Sequence, residues 1–243
     1  MAEAPPPGWR LRVERSLPST SDLLLRLAAA GEPEGLAVLA LSQTAGRGRD
    51  GRGWASPAGN LYLSVLLRPG GPAREAGRYA LLGAVALAEA LDRFLPDPAA
   101  LRLKWPNDLL LDGAKVAGML CESAATEDGR LEWLVIGLGA NLAVAPDLPD
   151  RPTARLPSPA EPEAVAIALL HAIEAWRGRL ARDGLPPLLD AWMARGPERG
   201  ARLTLRAGAG VTTGLYRGLD GDGALLLEVE GRLRRFASGE VAA

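Results

Sequence analysis

Residues 43–54, Gln-Thr-Ala-Gly-Arg-Gly-Arg-Asp-Gly-Arg-Gly-Trp, place three arginines and four glycines between two apolar runs, Leu36 to Leu41 and Leu61 to Leu67. Arginine carries a planar five-donor fork that matches carboxylate and phosphate oxygens. Glycine lets a backbone turn sharply or approach a ligand closely. A loop that combines them between two strands reads as an anion clamp. An exposed basic turn and a contact to nucleic acid are the other two readings open at this point. A Walker loop needs Gly-x-x-x-x-Gly-Lys-Ser/Thr, which this stretch lacks. Gly46-x-Gly48-x-x-Gly51 has the bare spacing of a dinucleotide fingerprint, but that motif opens a helix. Here Trp54, Pro57, Gly59 and a strand-like run follow.

Three further stretches could meet an anion or a polar ligand. Ser19-Thr20-Ser21-Asp22 precedes Leu23, Leu24 and Leu27 and reads as a helix cap, with Asp22 where a capping box has Glu. Its hydroxyls and the helix amino end could also face a polar ligand. In Lys104-Trp105-Pro106-Asn107-Asp108-Leu109, Pro106 fixes its own φ and steers Trp105 toward an extended conformation, which stiffens the polar pair behind it. Lys115 to Glu122 reads as a strand whose alternation puts Lys115, Ala117 and Met119 on one face and Val116, Gly118 and Leu120 on the other. Lys115 is either a solvated hairpin residue or the cation for a ligand anion. In Ile136-Gly137-Leu138-Gly139-Ala140-Asn141, the glycines permit close approach, and Asn141 either caps a turn or faces a nucleotide.

Other chemistries find no support. The chain has one His, His171, and one Cys, Cys121, with no metal-ligand spacing. No Ser-His or Cys-His nucleophile pair is evident. A net charge of -1 argues against a large nucleic-acid footprint. A lone cysteine fits a reducing compartment, and neither a secretory leader nor a membrane span is evident, so the expected location is cytoplasmic, without a membrane partner.

The 243 residues fit one large domain, with or without a small appendage, and 48% hydrophobic residues support a substantial core. Residues 1–8, with Pro5, Pro6, Pro7 and Gly8, read as a flexible tail. Trp9 to Glu14 alternates as an edge strand, and a helix from Ser19 ends near Gly31. A long helix, roughly Ala73 to Leu95, covers a sheet. Residues 144–160, with five prolines, read as a loop. Leu169, Ile173, Trp176 and Leu180 mark a helix, and a short one follows Pro186-Pro187. Beyond Gly196, Pro197 and Gly200, short strands separated by turns predict a small barrel docked on the first domain.

Taken together, the polar stretches resemble the biotin protein ligase family. The resemblance runs from about Leu17 to Val241 and rests on Gly-Arg-Gly-Arg-x-Gly-Arg at 46–52, Lys-Trp-Pro-Asn-Asp at 104–108, Lys-Val-Ala-Gly-Met-Leu-Cys-Glu at 115–122 and Gly-Leu-Gly-Ala-Asn at 137–141. Gly223 to Leu227 and Ser238-Gly239-Glu240-Val241 also fit. It implies an α+β fold: a mixed β-sheet backed by helices, of the class II synthetase-like biotin/lipoate ligase type, with a small SH3-like β-barrel at the C-terminus. The implied division is a catalytic domain over 9–196 and the barrel over 197–243.

The resemblance also implies ATP-dependent formation of biotinyl-5'-AMP, then transfer of biotin to one lysine of the biotin carboxyl carrier protein of acetyl-CoA carboxylase. Mg2+ accompanies ATP, and no tightly bound organic cofactor is implied. Carried over by motif, Ser19, Thr20, Ser21 and Gln43 border the biotin head group, while Arg47, Gly48 and Arg49 form an ordering loop. Arg49 and Lys115 are the catalytic cations on the carboxylate and α-phosphate. Trp54 and Asn141 flank the nucleotide, and Asn107 and Asp108 organise the phosphates, with Asp108 nearest the metal. Asp50 departs from the family, whose best-known members have Arg there. Only about 18 residues precede Ser19, so no DNA-binding repressor domain is expected. Homodimerisation through a sheet edge is left open. The rival readings are a lipoate protein ligase and a non-catalytic nucleic-acid-binding module.

Overall fold

The computed structural model describes residues 3–149 and 151–242. Its main sheet has seven strands: β1 (Arg10–Glu14), β2 (Leu36–Ala40), β3 (Leu61–Leu67), β4 (Leu101–Lys104), β5 (Asp108–Leu111), β6 (Ala114–Ala125) and β7 (Leu131–Ala140). Their order is β1-β2-β3-β7-β6-β5-β4, with β1 parallel to β2 and every other pair antiparallel. The mixed sheet and its helical backing are those implied by the resemblance.

Alternation along the strands divides the two faces. Leu61, Leu63, Val65 and Leu67 of β3 point into the main core with Leu134, Ile136, Leu138 and Ala140 of β7. Helices α2 (Ala76–Asp92), α3 (Pro162–Asp183) and α4 (Pro186–Arg195) cover that face. Helix α2 starts three residues later than its periodicity predicts, because residues 73–75 form a 3-10 turn. On the other face, α1 (Thr20–Ala29) buries Leu24 and Ala28 against Val38, Leu66 and Val135. This helix covers only the β2, β3 and β7 part, leaving the remaining surface of the sheet for the site.

The first nine residues are anchored where they are described. Pro6 is buried, Trp9 Nε1 donates to Glu174 at 3.0 Å, and a β-carbon on Gly35 would lie 2.3 Å from the Gly8 carbonyl oxygen. Residues 1–2 of the expected tail lie outside the described residues.

The expected C-terminal barrel is not formed. Strands β8 (Arg202–Ala207), β9 (Gly210–Leu219), β10 (Leu225–Val229), β11 (Arg232–Phe236) and β12 (Glu240–Val241) make an antiparallel sheet ordered β11-β10-β9-β8-β12, and its two outer strands do not pair. The two-residue β12 bonds only to β8. Leu205, Tyr216, Leu219, Leu225, Leu227 and Val241 instead join the main core, so the apolar face is buried by docking rather than by closure.

Docking is close. Trp105 Nε1 donates to the Gly223 carbonyl at 3.0 Å, and Arg78 Nε to that of Gly221 at 3.1 Å. A β-carbon on Gly77 would lie 2.1 Å from the Asp222 carbonyl oxygen. Gly77→Val is therefore expected to lower stability to urea by about 1–3 kcal/mol through overpacking. Unfolding curves superimposable on those of the parent would show that the contact yields without cost.

Candidate active site

One lateral row of the main sheet carries the site. Register aligns Tyr62 on β3 with Gly139 on β7, Gly118 on β6, Asp108 on β5 and Lys104 on β4. With strands about 4.8 Å apart, the row spans roughly 19 Å. Its centre is bare: a β-carbon on Gly139 would lie 2.8 Å from the Trp54 indole, and one on Gly118 would lie 3.2 Å from the same ring. In the neighbouring row, a β-carbon on Gly137 would meet Ser21 Oγ at 2.5 Å. Side chains here would occupy the space that loop residues and a ligand need.

Ser19, Thr20, Ser21, Gln43, Arg47, Gly48, Arg49, Trp54, Asn107, Asp108, Lys115 and Asn141 all line one cavity of about 210 Å³ over this row. At the β3 end, Ser19 caps α1 by accepting from Asp22 N at 3.2 Å. Thr20 N donates to Gln43 Oε1 at 2.9 Å, which fixes the amide orientation, and Gln43 Nε2 donates to Ser56 Oγ at 3.0 Å. The second amide hydrogen of Gln43 is left for another acceptor. Ser64, fully buried on β3, ties Thr20 Oγ1 at 2.8 Å and Ser21 Oγ at 3.0 Å into one hydroxyl cluster. Its sequence signal was a lone polar residue in an apolar strand. Tyr62 donates to the Pro57 carbonyl at 2.7 Å, and burial raises its pKa to about 12.

The arginine loop closes over the row. Arg47 donates to Asp22 of α1 at 2.8 Å and to both carboxylate oxygens of Glu122 on β6 at 2.9 and 3.1 Å. Arg49 Nη1 reaches Asn107 Oδ1 at 3.4 Å and the Gly239 carbonyl at 3.3 Å. Asp50 has φ 56°, a left-handed conformation that Asp tolerates better than most residues, and its exposed carboxylate lies 3.6 Å from Arg52. Trp54 lies against Gly118 and Gly139, and its buried Nε1 has no hydrogen-bond partner among the described residues.

Lys115 is aimed differently from the strand alternation. Leu109 pairs with Ala117 but Leu110 pairs with Lys115, so Val116 is an extra residue. Val116 and Ala117 both turn into the main core. The bulge puts Lys115 on the face of Gly118, within 3.2 Å of the point where that residue's β-carbon would be. Lys115 Nζ pairs with Asp108 Oδ1 at 2.6 Å and stands 5.3 Å from the centroid of the Trp54 ring. Asn107 Nδ2 donates to the Met119 carbonyl at 2.6 Å, and Asn141 Nδ2 to that of Ala154 at 2.9 Å. Asn141 thus borders the cavity while its amide holds the 152–156 segment.

Among the described residues, four charged side chains of the cavity had no role assigned from sequence: Arg52, Lys104, Arg151 and Glu240. Arg151 lies in an aperiodic, proline-rich stretch, and Glu240 enters from the second sheet. Glu240 pairs with Arg52 at 2.8 Å and with Arg151 at 3.2 Å. Burial lowers the pKa of Lys104 below the ordinary 10.5, opposed by Asp108 and Glu240.

The sequence pattern of the biotin/lipoate A/B protein ligase family matches residues 13–141, and that of the biotin protein ligase C-terminal domain matches residues 200–242. The biotin–[acetyl-CoA-carboxylase] ligase of Paracoccus denitrificans is 39% identical over 199 residues, covering 78% of this chain and 82% of that protein. The chain belongs to the biotin protein ligase family. The Mycobacterium tuberculosis biotin–[acetyl-CoA-carboxylase] ligase is 36% identical to this family member over 244 residues, covering 96% of this chain and 89% of its own length. The Aquifex aeolicus biotin protein ligase in complex with biotin and ATP superposes on the ligase with a TM-score of 0.78 at 26% identity, covering 96% of this chain and 97% of that one.

The Arg52–Glu240 pair of the ligase has a pH signature. The Arg52 hydrogen bond holds the Glu240 pKa below its ordinary 4.5, against the opposing effect of burial. Its stabilisation is therefore complete above 4.5 and is lost as pH falls through the lower folded-state value. The stability advantage over Glu240→Gln should shrink as pH drops from about 6 to below 4. A difference that stays constant over this range in denaturation experiments would exclude that linkage.

Proposed function

We propose that the cavity over the glycine row is where biotin and ATP are joined. Family membership makes the chain an ATP-dependent biotin protein ligase. The observation that carries the placement is the polarity of the row: neutral hydroxyls and an amide at the β3 end, and cations toward β4. Biotin has the same polarity, an uncharged ureido ring followed by an anionic carboxylate.

In this reading Ser19, Thr20, Ser21 and Gln43 receive the ring, with Ser64 holding the hydroxyls in place. The tail runs over Gly139 and Gly118 beneath Trp54. Arg49 and Lys115 meet the carboxylate and α-phosphate, two anions that repel until positive donors offset their charge. Holding them in contact also removes much of the entropic barrier. No protein nucleophile is needed: a carboxylate oxygen attacks the α-phosphorus, and pyrophosphate leaves. A carrier lysine then attacks the mixed anhydride and displaces AMP. The loop around Arg47, tied to α1 and β6, excludes water meanwhile.

Mg2+ fits this arrangement as a companion of the phosphates. Among the described residues no group of three or more His, Cys, Asp or Glu side chains could hold a metal ion. Mg2+ commonly uses one or two carboxylates plus substrate phosphates, and Asp108 is the carboxylate beside Lys115. The ion would neutralise phosphate charge there.

The acceptor we assign is the biotin carboxyl carrier protein of acetyl-CoA carboxylase, supported by the relatives named for that enzyme. We further assign catalysis to residues 9–196 and a supporting role to 197–243, and place the enzyme in the cytoplasm. Among the described residues no helix is long and apolar enough to cross a membrane.

Acid-dependent exchange of pyrophosphate into ATP checks the adenylation site. Biotin should stimulate exchange and lipoate should not, and Lys115→Ala should reduce it by about 10²–10³-fold, the cost of losing one transition-state donor. Exchange that survives in folded Lys115→Ala would remove Lys115 from the chemistry.

A further inference from the structure

At the β3 end of the cavity, the heavy atoms settle which way each hydrogen bond runs. The Thr20 backbone N–H can only donate, and it lies 2.9 Å from Gln43 Oε1, which marks that atom as the carbonyl oxygen. Thr20 Oγ1 is 3.2 Å from the same oxygen, which carries no proton of its own, so the Thr20 hydroxyl donates there. With that proton committed, the 2.8 Å contact between Thr20 and Ser64 needs the Ser64 hydroxyl as donor. The 3.0 Å contact between Ser64 and Ser21 then needs the Ser21 hydroxyl as donor. On the other side, Gln43 Nε2 donates to Ser56 Oγ at 3.0 Å, and Ser56 donates to the Trp54 carbonyl at 2.9 Å.

Each hydroxyl has one proton, so the chain runs one way, from Ser21 through Ser64, Thr20, Gln43 and Ser56 to Trp54. Two groups are left for a ligand. Ser21 has given its proton to Ser64 and borders the cavity as an acceptor. Gln43 keeps one amide hydrogen and borders it as a donor. Ser64, fully buried, and Ser56 lie outside the cavity lining, so they act only through the residues they hold. Gly137 pairs with Ser64 across the sheet, and a β-carbon there would lie 2.5 Å from Ser21 Oγ, crowding the first link of the chain.

We propose that Ser64 and Ser56 are positioning residues that fix this polarity and thereby select the head group of the acid. The ring that fits offers an N–H to Ser21 and a carbonyl to Gln43, as a cyclic urea does. This rests on the adenylation reading above. A dithiolane ring, as in lipoate, satisfies neither group and leaves an acceptor and a donor unpaired, the situation in which a hydrogen-bonding site discriminates most strongly. Without the Ser64 hydroxyl, the Ser21 proton loses its acceptor and turns toward the cavity, where it opposes the ring N–H.

Ser64→Thr and Ser64→Val have nearly the same shape and differ in the hydroxyl, so the methyl group that both add cancels in the comparison. In biotin-dependent pyrophosphate–ATP exchange, the KM for biotin should be about 10-fold higher in Ser64→Val than in Ser64→Thr, the cost of one hydrogen bond. The KM for ATP should be the same in both. Desthiobiotin, which keeps the ureido ring and lacks the sulfur-containing ring, should lose the same factor as biotin. Ser56→Ala, at a partly exposed position, should raise the KM for biotin by about 3-fold and leave that for ATP unchanged. Equal biotin KM in the Thr and Val variants would overturn the proposal, as would an equal rise in the KM for ATP or a loss confined to biotin and absent with desthiobiotin. If the Ser64 variants fail to fold, Ser56→Ala decides: an unchanged KM for biotin would overturn the proposal. Absence of biotin-dependent exchange in the parent protein would instead overturn the adenylation reading itself.

Discussion

The site depends on a steric constraint: the middle strands of the sheet carry no side chain where the cavity lies. Gly118, Gly137 and Gly139 bring backbone to the floor, and in each case a β-carbon would press on a side chain that forms the wall. Trp54 and Ser21 can approach only because those positions are empty. The opposite faces of the same strands are filled with Val116, Ala117, Ile136 and Leu138. One sheet thus has a close-packed face that supplies stability and a bare face that supplies space.

Charge is arranged against this background in a graded way. The hydroxyl cluster at the β3 end is neutral and satisfied internally, so it costs little when buried. The Arg47 clasp is matched by Asp22 and Glu122, which leaves it as a closure rather than a surplus charge. Toward β4, cations outnumber carboxylates among the described residues that line the cavity, and the second sheet adds Glu240 as an internal anion. That carboxylate spaces Arg52 and Arg151 apart while keeping both at the cavity. The C-terminal strands therefore reach the cavity through Glu240 of the two-residue β12 and the Gly239 carbonyl beside it, although they form no barrel.

Much of this was legible in the sequence because local rules governed it. The glycine-arginine loop, the Ser19 cap and the glycine pair at 137 and 139 announce close approach through residue type alone. The aim of Lys115 was not legible, since strict alternation assigns it the face of Ala117 and the bulge at Val116 reverses this. Nor was the open edge of the second sheet, because short alternating strands read alike whether their apolar face closes on itself or docks elsewhere. Arg151 and Glu240 escaped for another reason. They reach the cavity through tertiary packing, from a proline-rich stretch and from the last strand, and neither lies in a pattern with a period.

The most direct test is a crystal structure of the protein with biotin and a non-hydrolysable ATP analogue. The ureido ring should lie at Ser19, Thr20 and Gln43, the tail over Gly139 and Gly118, and the carboxylate and α-phosphate between Arg49 and Lys115. Ligands found elsewhere, for example in the crevice between α2 and the 221–224 turn, would contradict the assignment of the glycine row as the site of adenylation.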